Sequence, residues 1–119
     1  MKIIMDSQKR IEGVFRFNHV VEREYGIERI KIYAYTTFSD RGIHILGELI
    51  SNGYSVKRQF KIKCTAYDEE GDVLVAKDAE PFIYPEDFFD RFPFKADLFI
   101  APELVKEITV EPVSTEWGI

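Results

Sequence analysis

The chain has few of the residues that most often carry chemistry. Its 119 residues include one cysteine, Cys64, and two histidines, His19 and His44. A single thiol excludes an intrachain disulfide and any zinc site built on several cysteines. Positive charge is also short: 16 Lys plus Arg against 21 Asp plus Glu leave a formal charge of −5. General nucleic-acid and anionic-membrane binders need a cationic surface, so no nucleic-acid partner is expected. No apolar run reaches the roughly 18 residues of a membrane helix, so no membrane span is expected either. The start, Met1 to Gln8, lacks the uninterrupted apolar stretch of a secretory signal. A full-length chain of this kind is expected in the cytoplasm, and an excised domain of an exported protein outside it.

Aromatic and apolar residues are plentiful. There are 10 Phe and 6 Tyr, with 45% hydrophobic and 31% charged residues overall. This is ordinary globular composition, and the length suits one domain over residues 1–119. The dominant period is two. Phe60, Ile62, Cys64 and Ala66 alternate with Gln59, Lys61, Lys63 and Thr65. Ile30, Ile32, Ala34 and Phe38 alternate with Arg29, Lys31, Tyr33 and Tyr35, and Phe92 to Ile100 repeat the pattern. Alternation of this kind makes strands with one buried and one wet face.

Weaker alternation predicts further strands over 11–17, 43–50, 72–79 and 107–111, the last stopped by Pro112. Asn52-Gly53 reads as a hairpin turn, and so do Asp68-Glu69-Glu70-Gly71 and Ser39-Asp40-Arg41-Gly42. No helix longer than one turn is expected, and Pro85 to Phe89 is the best place for that turn. The fold these signals predict is all-β: an antiparallel β-sandwich of about seven strands, immunoglobulin-like, over residues 11–113 with short flexible termini.

Residues 43–113 resemble the FxLYD domains, bacterial β-sandwiches of immunoglobulin or fibronectin type III shape. The stretch Cys64-Thr65-Ala66-Tyr67-Asp68-Glu69-Glu70-Gly71 is similar to the strand and glycine turn that name the family. Leu46 to Asn52, Phe92-Pro93-Phe94-Lys95 and Val105 to Val110 resemble three other strands of it. Cys64 and Ala66 stand where the family has Phe and Leu, so the core here is filled from elsewhere. The resemblance implies a sandwich and an accessory role, with neither catalytic residues nor a cofactor.

The candidate sites are few. His19 and His44 sit at expected strand positions, with no nucleophile motif or metal-ligand spacing nearby, and His44 shares a face with Glu48. Cys64 belongs to the buried phase and reads as a small hydrophobe. Asp68, Glu69, Glu70 and Asp72 invite calcium, but they lack the twelve-residue loop of an EF-hand. No catalytic residue, metal or cofactor is therefore assigned. Lys57, Arg58, Lys61 and Lys63 form a basic stripe, and Lys31, Tyr33 and Tyr35 expose basic and aromatic groups on a neighbouring strand.

The most unusual stretch is Pro81 to Phe94, where six of fourteen residues are aromatic. In one reading it caps the sandwich, with Phe88 or Phe89 filling the space left by Cys64 and Ala66. In the other, Phe82, Tyr84, Phe88 and Phe89 form a binding patch rimmed by Glu86, Asp87 and Asp90. The expected function is a non-catalytic module that binds a protein partner or self-associates, by sheet extension or through this segment. The alternative is a small carbohydrate- or ligand-binding module using residues 82–94. Trp117 lies beyond the last strand and is expected in a flexible tail.

Overall fold

The structure, a computed structural model, describes residues 9–36, 42–53 and 59–115. They form two sheets of four strands. The first has the order β1 (Lys9–Ile11), β3 (Ile27–Thr36), β4 (Ile43–Ser51), β7 (Arg91–Leu98). The second has the order β2 (Phe15–Phe17), β8 (Glu107–Ser114), β5 (Phe60–Tyr67), β6 (Val73–Asp78). The architecture is the expected all-β sandwich, with eight strands in place of about seven. Neighbouring strands run antiparallel except β2, which lies parallel to β8.

The two-residue period is realised where it is cleanest. In the first sheet Ala34, Ile43, Ile45, Leu49, Phe94, Ala96 and Leu98 are buried on the inner face. In the second, Phe60, Ile62, Cys64, Ala66, Ile108 and Val110 face them within one hydrophobic cluster. Register follows from that burial, since slipping a strand by one residue would turn its apolar set to solvent. Cys64 lies opposite Val110 and Ala66 opposite Ile108.

Five local expectations are corrected. The strand predicted over 11–17 is two strands in different sheets, because Gly13, at φ 76°, redirects the chain between them. A helix, α1 (His19–Glu24), follows β2, so His19 is helical rather than on a strand. Its start is the Asn18 side chain, which accepts from the Val21 N–H at 3.2 Å and satisfies a donor the helix itself leaves open. Asn52-Gly53 does not make a hairpin, since β4 and β5 belong to opposite sheets. Pro112 does not stop β8, which continues to Ser114 with Pro112 opposite Ile62. It is tolerated because β2 flanks β8 only at Ile108–Val110, leaving the strand one-sided at residue 112. Finally, Phe88 is far from Ala66: it packs at the Phe60 end of β5, and six residues of strand span about 20 Å.

The Asp68–Gly71 turn joins β5 to β6 as expected, with Gly71 at φ 84° and Asp68 Oδ1 accepting from the Glu70 and Asp72 N–H groups, both at 2.9 Å. Residues 37–41 and 54–58, with most of the Ser39–Gly42 turn and with Lys57 and Arg58, lie outside the described residues, as do Met1 to Gln8 and Trp117.

Candidate functional site

After β6 the chain does not simply loop to β7. The Ala79 N–H donates to Ile62 O at 2.7 Å, and Phe60 and Ile83 exchange two backbone bonds of 3.0 and 2.8 Å. Glu80 and Lys95 exchange two more, of 2.8 and 2.9 Å. Residues 79–83 thereby lace the second sheet to the first. A short 3₁₀ turn, Pro85–Asp87, follows, with proline at the start where its missing N–H costs nothing. Beyond it Ser51 donates to Asp90 O at 2.8 Å, which fixes the far end of the segment to β4.

This tethering divides the aromatic segment into anchors and presented groups. Ile83 is fully buried and Phe88 nearly so. The Phe88 ring packs on Phe60 with centroids 6.2 Å apart and edge-on to Phe92 at 6.5 Å. Tyr25 completes the row, 5.0 Å from Phe60. Phe82, Tyr84 and Phe89, in contrast, are exposed by 42%, 46% and 79%. Both sequence readings therefore describe part of one segment: Phe88 caps the core end, and the other three rings point to solvent. Lys61 lies over the Phe82 ring at 5.9 Å and also pairs with Asp78 at 2.8 Å. Glu86, Asp87 and Asp90 are exposed around the segment.

The remaining candidates are scattered. His44 lies with Nδ1 2.8 Å from Asp97 Oδ1 and its ring 5.0 Å from Tyr35, on the outer face of the first sheet. Its expected neighbour Glu48 pairs with Arg91 instead, at 3.2 Å. Cys64 is on the inner face of the other sheet, so thiol and imidazole do not meet. The basic residues do not form one surface either. Lys61 and Lys63 lie on the outer face of the second sheet, whereas Lys31, Tyr33 and Tyr35 lie on that of the first. Carboxylate oxygens of Asp68, Glu70 and Asp72 all fall within 4.8 Å of one another, and Asp68 is already engaged in capping its own turn.

One feature escaped the sequence reading. Glu22 is fully buried under α1, with Oε1 3.1 Å from His19 Nδ1 and Oε2 without a hydrogen-bond partner. The Asn18 cap and the three-residue spacing from His19 were the available signal. Leu46, which with Ile50 makes β4 apolar on both faces, is 46% exposed.

Burial pushes the Cys64 thiol up from 9.0 to about 12, and the nearby Asp78 charge adds to the rise. Above pH 9 the unfolded chain sheds this proton while the folded chain keeps it. The stability Cys64 contributes is thus complete below about pH 9 and drains away towards pH 12. A shift of this size corresponds to a loss on the order of 4 kcal/mol. Urea unfolding of wild type and Cys64→Ala through that range isolates the effect, because other groups titrate in both chains. A smaller alkaline loss in the variant is expected, together with negligible iodoacetamide labelling of the native thiol. Equal loss in both chains would contradict the assignment.

No known family model matches the chain, and neither a curated protein nor a solved structure matches it.

Proposed function

We propose that the protein is a non-catalytic β-sandwich module that binds a protein partner, a second copy included, through the aromatic segment 82–89. One observation carries this reading: Phe82, Tyr84 and Phe89 are held outward on a backbone pinned by Ile83 and Phe88. Rings presented on a fixed backbone lose little conformational freedom on binding, which is how aromatic anchors at interfaces gain affinity. Exposed apolar patches of this kind on soluble proteins mark contact surfaces. The carbohydrate alternative has less support, because Lys61 already covers a face of the Phe82 ring that a sugar would stack on.

Sheet extension has less support too. β6 carries a bulge and an edge lysine, Lys77, opposite Cys64, and β7 carries Pro93; these devices blunt edges. Connectivity supports an immunoglobulin-like arrangement. In the immunoglobulin order one sheet is A-B-E-D and the other C-F-G. With C′ added beside C as in variable-type domains, a chain running A-B-C-C′-E-F places A beside B and B beside E in one sheet, and F beside C and C beside C′ in the other. Strands β3 to β8 follow that course.

The test replaces Phe82 and Phe89 together with serine and measures binding to a purified partner first captured by the wild type. Affinity should fall by at least tenfold, since each buried ring is worth about 1 kcal/mol or more at an interface. The thermal midpoint should barely move, as both rings are exposed. Unchanged affinity would sink the reading.

A further inference from the structure

The outer face of the first sheet is unassigned, and its composition differs from that of the chain as a whole. Register places Tyr33 opposite Leu46 and Leu46 opposite Lys95. Lys31 faces Glu48 one step along, and Arg29 faces Ile50 beyond it. Leu46 and Tyr33 are 46% and 39% exposed, with Arg10 over the Tyr33 ring at 5.4 Å, so Leu46 is the open apolar centre of the face. Three acids share the face: Glu48, opposite Lys31, is paired with Arg91 at 3.2 Å, Asp97 holds His44 at 2.8 Å, and Glu80 lies directly opposite Lys95. Arg29, Lys31 and Lys95 make no ion pair among the described residues. Arg29, Lys31, Arg91 and Lys95 against these three acids leave a slightly positive, half-apolar sheet face on a protein of formal charge −5.

The aromatic segment is its complement. Glu86, Asp87 and Asp90 are exposed and likewise make no ion pair among the described residues, and Tyr84 and Phe89 stand beside them. Three acids with exposed rings on one surface match three bases around an apolar centre on another. Two copies meeting through the sheet face alone would set Arg29, Lys31 and Lys95 of one against the same bases of the other, a contact that like charges disfavour. The segment ends at the margin of the same sheet, where Asp90 O takes the Ser51 N–H and Arg91 begins β7 beside Ile50. Adjacent patches of opposite sign on one molecule are self-complementary about a two-fold axis, so the contact closes on itself as a dimer.

We infer that the outer face of β3, β4 and β7 receives the acidic aromatic segment 84–90 of a second copy, and that the second copy's sheet receives the segment of the first. The inference rests on reading 82–89 as the recognition segment and names its partner. In the dimer Phe89 lies on Leu46, and Glu86, Asp87 and Asp90 lie against Arg29, Lys31 and Lys95. Charge steers the encounter and sets the register, while the apolar centre supplies the hold.

Sedimentation velocity on the full chain tests this with two charge-reversed variants, Lys31→Glu with Lys95→Glu and Glu86→Lys with Asp90→Lys. All four positions are exposed; the segment variant should melt as the wild type does, and the sheet variant a little lower but still folded, since its new acids stand opposite Glu48 and Glu80. Wild type should dimerise, more weakly as salt rises from about 0.05 to 0.5 M. Each variant alone should lose association by on the order of 100-fold, as like charges then face each other. An equimolar mixture of the two should recover a heterodimer, because reversed sheet meets reversed segment. A wild type that stays monomeric overturns the inference, whether it binds nothing, a single-stranded oligonucleotide probe or a different protein. In the last case loss of that protein by the Phe82 and Phe89 replacements leaves the functional reading standing. Dimers that survive either charge reversal, or a mixture that stays monomeric, also overturn the inference. Dimerisation unaffected by replacing Phe82 and Phe89 removes the functional reading itself.

Discussion

Phe60→Ala should lower stability by about 3–5 kcal/mol, the range for emptying a buried aromatic site. Phe60 is the largest fully buried side chain among the described residues, and its ring supports Tyr25 at 5.0 Å and Phe88 at 6.2 Å. Aromatic pairs of this geometry add about 0.5–1.5 kcal/mol each beyond their burial. Against a total stability of about 5–15 kcal/mol, the loss takes a large share of the fold. The consequence reaches the functional segment. Phe88 loses the ring it caps, and the paired backbone bonds between Phe60 and Ile83 lose their packed support. Urea unfolding should show the shift in midpoint, and amide exchange at Ile83 should accelerate out of proportion to the rest of β5. Phe89→Ala, removing an exposed ring a residue from Phe88, should cost no more than about 0.5 kcal/mol. Similar losses for the two variants would mean that anchors and presented rings are not distinct.

Gly47→Ala should cost about 3 kcal/mol, at the high end for adding a methyl group to a packed core. Gly47 lies directly opposite Phe94 on the inner face, and a Cβ placed on it would overlap the Phe94 ring. Its backbone is ordinary strand, so the demand for glycine is spatial rather than conformational. In a domain of this size the thermal midpoint should fall by about 10 °C or more. Partial rescue is the sharper measurement. Trimming the ring with Phe94→Leu frees space, so the double variant should be more stable than the sum of the single losses implies. Strict additivity would show that the two residues do not share the space the structure gives them.

The central strands were legible because their information is local. In β3, β5 and β7 each buried residue alternates with a charged or polar one, and no other regular structure puts those sets on opposite sides. The Asp68–Gly71 turn was legible for the same reason, since its acceptor and its glycine lie within four residues. The 82–90 segment was half legible. Its aromatic density marked it as unusual, but Phe88 and Phe89 are chemically identical and adjacent. Only the position of Phe60 beneath one of them separates anchor from presented group. The bases of the first sheet's outer face were divided between strands in the sequence, and Lys61 and Lys63, of the basic stripe the sequence showed, lie on the outer face of the other sheet.

Taken alone, the amino-acid order determined that the chain forms strands, which side of each is apolar, and that no cluster of cysteines or histidines is available. Those properties depend on neighbours two residues apart and on counts. Sheet membership was decided only by the tertiary structure. A positive-φ glycine at residue 13 sends adjacent strands into opposite sheets, and Asn52-Gly53 leads across the sandwich instead of back along it. A turn residue permits a change of direction, but which new direction is taken depends on which distant apolar face remains to be covered.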